Sequence, residues 1–146
     1  MVDYISCIKK ATGIPEAFYN YCRNEDSISK SYKKDRFDKS LVFVSEVEKR
    51  FKKDIESVEY KVYIDRFWQA MCRVLCSQEI MYASDNSIKY SDLKKRLTAV
   101  CTHELTVEAL KSYPIGTLPI KQRAFAYAMK YRLYLLLKVL VGLRSR

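Results

Sequence analysis

From Asp35 onward the apolar residues of this chain recur every three or four positions, a period that fits helices and not strands. Phe37, Leu41, Val44, Val47, Phe51 and Ile55 share one helical face, and Lys39, Glu46, Glu48, Lys49, Lys52 and Lys53 cover much of the remainder. Tyr60, Ile64, Phe67, Met71, Val74, Gln78 and Met81 form a second stripe, which Trp68 and Leu75 widen. Only 3 Gly and 3 Pro occur in 146 residues, which excludes a turn-rich all-β sandwich. A hydrophobic share of 49%, with 12 Tyr, 6 Phe and 1 Trp, excludes a disordered tail and supplies the bulk for a core.

Ser84-Asp85-Asn86-Ser87 reads as a loop between helices. Ser91 is placed to cap a helix carrying Leu93, Leu97 and Val100, and Thr106 to cap a short one carrying Val107 and Leu110. Pro114, Gly116 and Pro119 then break the chain, and Pro119 suits the first turn of a last helix over 119–143. Residues 1–34 follow a different pattern. A short helix near Tyr4 to Lys10 precedes an extended piece near Ile14 to Cys22, where Ile14-Pro15 disfavours helix, and then a Ser-rich polar loop. The expected fold is mainly α: a helical bundle of about five helices over 35–146, preceded by a short extended N-terminal strip within 1–34.

The net charge of +10 is concentrated at one end. After Glu108 come Lys111, Lys121, Arg123, Lys130, Arg132, Lys138, Arg144 and Arg146, with no Asp or Glu among them. Such an end attracts a polyanion, either anionic headgroups or a phosphate backbone. Between Leu133 and Leu143 the only charged residue is Lys138. At 100° per residue the cations of a continuous 119–143 helix fall on opposite sides, so no single charged face forms. Eleven residues rise about 16 Å, too short to cross a hydrocarbon core. Three placements satisfy this segment: shallow insertion with snorkelling Lys and Arg, contact with another chain, or a central position in the bundle. Tyr127, Tyr131 and Tyr134 suit a headgroup boundary. Lys121, Arg123, Lys130, Arg132, Lys138, Arg144 and Arg146 are therefore the expected membrane- or anion-binding residues.

Catalytic constellations are missing from the pattern. His103 is the sole histidine, no Asp-x-Asp pair offers Mg²⁺ or Mn²⁺ a seat, and neither a Gly-rich phosphate loop nor a G-x-S-x-G elbow occurs. Cys72 and Cys76 share a helical face but lack the partners a zinc site needs, so both are expected as reduced core thiols. Five Cys, an odd number, fit a reducing compartment better than a disulfide framework. No signal-peptide pattern opens the chain, and no metal or cofactor is expected to bind it.

The run Ile14-Pro15-Glu16-Ala17-Phe18-Tyr19-Asn20-Tyr21-Cys22-Arg23-Asn24-Glu25-Asp26-Ser27-Ile28-Ser29-Lys30-Ser31 resembles the segment that leaves the catalytic domain of bacterial family-2 glycosyltransferases of the capsular and exopolysaccharide type. Their pattern there is an Ile-Pro-Glu strand, an aromatic-x-Tyr-x-Arg block and a Ser-Ile-Ser loop, and a polar helix with Arg36-Phe37 and a basic Leu/Tyr-rich tail follow in kind. The resemblance implies that 1–34 is the exit segment of a catalytic domain preceding Met1. Tyr19, Tyr21, Arg23, Ser27 and Ser29 would then line the rim of its active site. It also implies a nucleotide-sugar donor and Mg²⁺ or Mn²⁺ for the full-length enzyme, while this chain alone would be inactive. The implied partners are the anionic inner face of a cytoplasmic membrane and the chain's own catalytic domain, with a homo-oligomer as a further option. Two other functions fit the composition. One is a basic helical nucleic-acid-binding module, disfavoured because the cationic end is too apolar for a phosphate-tracking face. The other is an oligomerisation domain that buries the last helix in a partner.

Overall fold

The computed structural model describes residues 32–51 and 58–143. All of them belong to the second of two units, Tyr32–Arg146. The described residues are mainly helical and contain six α-helices and no strand: α1 (Arg36–Phe51), α2 (Val58–Asp85), α3 (Tyr90–Thr102), α4 (Glu104–Ser112), α5 (Ile120–Lys130) and α6 (Tyr134–Gly142). The short helix near Tyr4 to Lys10 and the extended piece near Ile14 to Cys22 lie outside them, and of the expected polar loop only the non-helical Tyr32–Lys34 is described.

At 28 residues, α2 is about 42 Å long and is the axis on which the other helices pack. Its inward face carries Trp68, Cys72, Leu75, Cys76, Ile80 and Ala83, all buried, with Asp65 and Gln69 beside them. Trp68 and Leu75, which widen the expected stripe, are on this face, but much of the stripe itself is displaced from it. Ile64 and Met71 are half-buried and Gln78 is buried, but Phe67, Val74 and Met81 are exposed. Where several helices close on one, small side chains let the backbones approach. Cys72, Cys76 and Ala83 take inner positions of this kind, beside Trp68, Leu75 and Ile80, which fill the space between the helices.

Trp68 is the centre of the packing. Its indole Nε1–H donates to Thr106 Oγ1 on α4 at 3.0 Å. The Phe37 ring on α1 lies 6.4 Å from it, and His103 closes the group with its ring edge-on to Phe37 at 5.4 Å. From α1, Val44 is buried while Phe37, Leu41 and Val47 are partly so, as their spacing requires. Tyr60 at the start of α2 donates its hydroxyl to the Glu48 carbonyl at 2.9 Å and ties the end of α1 to it.

The expected caps all move. The α3 N-cap is Lys89, whose carbonyl receives the Asp92 and Leu93 N–H groups, so Ser91 sits within the first turn. His103, in extended conformation, ends α3 and begins α4, and Thr106 and Val107 donate to its carbonyl. Thr106 is thus fully buried inside α4 as the partner of Trp68, where its hydroxyl saves an indole N–H from burial unpaired. Leu110 is in the core as expected, but Val107 is exposed. Pro114 to Pro119 do break the chain, with a 3₁₀ turn at Ile115–Thr117 beside which Ile115 and Leu118 enter the core. Pro119 is the N-cap of α5 and not its first helical residue.

The single last helix expected over 119–143 is two. Arg132 has φ 55°, in the left-handed region. Leu133 N–H donates to the Ala128 carbonyl at 2.8 Å and Arg132 N–H to that of Met129 at 3.1 Å. This pair of bonds is a Schellman motif, which ends α5 at Lys130 and lets α6 start in a new direction. The end of α2 is built the same way: Ser87 has φ 52°, Ile88 N–H donates to the Ala83 carbonyl at 2.9 Å and Ser87 N–H to that of Ser84 at 3.4 Å.

Candidate functional site: a cationic, apolar chain end

Helix α5 buries Phe125, Ala126, Ala128 and Met129, and α6 buries Tyr134, Leu137 and Val141. Tyr134 is fixed from α3, its hydroxyl sharing a hydrogen bond with Thr98 Oγ1 at 3.0 Å. The inner side of α6 is therefore bundle core, and Tyr134 is not available to a headgroup boundary. Tyr127 and Tyr131 are available: both are exposed, and their rings stack with centroids 6.2 Å apart.

The outer side of α6 is as apolar as the inner one. Leu135, Val139 and Leu143 are 64%, 56% and 69% exposed, and Leu136 lies open beside them. Four-residue steps place the first three on one ridge. The sequence signal for this ridge is the scarcity of polar residues between Leu133 and Leu143, which leaves a nine-residue helix with Lys138 alone to turn toward water.

Among the expected binding residues, Lys121, Lys130, Arg132 and Lys138 are exposed, and none is in an ion pair among the described residues. Arg123 is half-buried and reaches the Gly116 carbonyl at 3.5 Å, which takes it partly out of the exposed set. Arg144 and Arg146 lie outside the described residues, as do Tyr19, Tyr21, Arg23, Ser27 and Ser29. The break at Arg132 replaces the two-sided charge distribution of one long helix with a local one. Lys130 and Arg132 flank the turn into α6, and Lys138 borders its outer ridge.

Several polar groups elsewhere hold helices together. Asp65, buried, accepts from Ser112 Oγ on α4 and lies 3.6 Å from Lys61 Nζ, which also meets Glu108 at 2.9 Å. The hydrogen bond between Lys61 and Glu108 raises the ammonium pKa and lowers that of the carboxyl. At the other end of α2, Arg96 donates to the Tyr32 hydroxyl at 2.7 Å and to Glu79 at 3.3 Å, beside the stacked rings of Tyr32 and Tyr82. Burial pushes the Cys72 thiol up to about 12, so it stays protonated. The Cys76 thiol donates to the Met129 thioether at 4.0 Å; the neighbouring Cys101 and burial raise the Cys76 thiol, while Cys76, with the Arg132 charge nearby, lowers that of Cys101. Cys72, Cys76 and Cys101 are free and buried. Among the described residues no group of three or more His, Cys, Asp or Glu is placed to hold a metal ion, and no helix is long and apolar enough to cross a membrane.

Comparison with protein-family models, with curated proteins and with solved structures finds no match for this chain.

Proposed function

We propose that this chain is a non-catalytic helical accessory domain that holds a glycosyltransferase catalytic domain against an anionic membrane surface. The observation that carries the docking role is the chain end itself. Lys130, Arg132 and Lys138 are exposed and have no acidic partner among the described residues, and they flank or belong to the last helix, whose Leu and Val side chains are also exposed. An exposed ammonium or guanidinium beside apolar surface is suited to a boundary where phosphate and hydrocarbon meet. The glycosyltransferase half of the proposal is supported by the Ile14-to-Ser31 pattern. In the full-length enzyme the nucleotide-sugar and its metal ion belong to the preceding catalytic domain, and this domain brings that site to an acceptor presented at the cytoplasmic face.

Co-sedimentation of the chain with vesicles tests the docking role. Phosphatidylcholine vesicles containing one third phosphatidylglycerol should bind it at low salt and release it as salt rises, since screening shortens the reach of each charge. Equal recovery with neutral and anionic vesicles would remove the proposal. Hydrolysis of a UDP-sugar by the chain alone would overturn its non-catalytic part.

A further inference from the structure

Helix α6 carries two apolar faces that point in opposite directions. At 100° per residue Tyr134, Leu137 and Val141 cluster on the side packed into the bundle, and Leu135, Leu136, Val139 and Leu143 lie roughly 180° away, exposed. A surface helix normally turns polar residues outward, and the exposed face here contradicts that pattern unless something apolar covers it. The charges around the ridge restrict the occupant. Lys138 borders the ridge, Lys130 and Arg132 stand at the turn leading into it, and no acid occurs after Glu108. A second copy docked face to face would bring two such cationic ends together, which like charge opposes. The covering surface must then be apolar and anionic at once, and the acidic leaflet of a bilayer is both.

We infer that the outer ridge of α6 inserts into the acyl boundary of an anionic leaflet, with Lys130, Arg132 and Lys138 on the phosphate groups above it. This deepens the proposed docking role and rests on it. At nine residues α6 rises about 13 Å, so it lies in the plane of the interface, with its inner face still held by the bundle. The stacked rings of Tyr127 and Tyr131, exposed on the preceding helix and its cap, are amphipathic aromatics of the kind favoured at a headgroup boundary. The Schellman turn at Arg132 makes this arrangement possible: a straight continuation of α5 would carry its cations to both sides of one rod.

The test uses the full 146-residue chain with phosphatidylcholine vesicles, with and without phosphatidylglycerol. The double variant Leu135→Gln/Val139→Gln changes only exposed side chains, and its helical circular dichroism and melting should match the parent's. It should bind anionic vesicles about tenfold more weakly and keep a residual, salt-sensitive attachment. The Val139→Trp variant should show an emission blue shift on binding and quenching by brominated acyl chains, which superficial charge attachment would not produce. If the parent shows no preference for anionic vesicles, the docking role itself fails. If the parent binds but the double variant binds equally, and the emission of the Val139→Trp variant does not move, docking stands and insertion is overturned. A dimer in sedimentation that the double variant dissolves, with vesicle binding untouched, would assign the ridge to a second copy instead.

Discussion

Ser87 and Arg132 occupy the same position in two copies of one motif, and both are residues that dislike it. A left-handed backbone brings the Cβ of an L-residue against the following carbonyl, at about 1 kcal/mol or more, and glycine escapes this. Ser87→Gly should therefore raise the unfolding free energy by about 0.5–1 kcal/mol, the gain reduced by glycine's larger unfolded-state entropy. Arg132→Gly should raise it by a similar amount and at the same time weaken anionic-vesicle binding, because a docking cation goes with it. Urea melts of both variants, beside vesicle co-sedimentation, check this, and equal vesicle binding by the two would separate Arg132 from the docking surface. The same chemistry explains why the break within 119–143 is invisible in the sequence. Helix ends are read from Gly and Pro, and here an Arg stands where Gly is usual, bracketed by residues that continue the helical pattern on both sides.

At the scale of elements, the tie between α2 and α4 decides which face of α2 is inside. Trp68 is buried at little polar cost because Thr106 supplies an acceptor across the helix pair. Thr106→Val keeps the volume but leaves the indole N–H unpaired in the core, and it should cost about 1–3 kcal/mol in thermal or urea unfolding. A cost near zero would show that the hydrogen bond adds nothing to the packing. Periodicity locates the helices themselves, from Phe37 through Val100, because amphipathic period survives whatever the helices pack against. It sets the α2 stripe off the true inner line. Bulk alone does not mark the inner line: Trp68 and Leu75 keep it and Cys72, Cys76 and Ala83 join them, while Phe67, Val74 and Met81 lie outside it. Thr106 misleads for a related reason: a threonine before an apolar run signals a helix start, and its alternative use, pairing with an indole on a distant helix, leaves no trace in local spacing.

For the whole molecule the dominant fact is charge of one sign gathered toward one end. A net +10 on a chain of this size repels itself in the folded state, and it does so most where Lys121, Lys130, Arg132 and Lys138 have no ion pair among the described residues. This end is legible in composition, since an acid-free run can be counted. The outward ridge is only half legible, because a segment apolar all round does not say which of its sides the bundle will take. Salt separates the two consequences of the charge. Raising NaCl from about 10 mM to about 100 mM shortens the Debye length from about 30 Å to about 10 Å. Screening relieves repulsion within the folded chain, so the thermal midpoint should rise by a few degrees. The same screening removes attraction to an anionic leaflet, so vesicle binding should fall over the same range. The opposed slopes are the test. Neutralising the end with Lys121→Gln, Lys130→Gln and Lys138→Gln should flatten both together. A midpoint that keeps its full salt slope in that variant would place the repulsion elsewhere in the bundle.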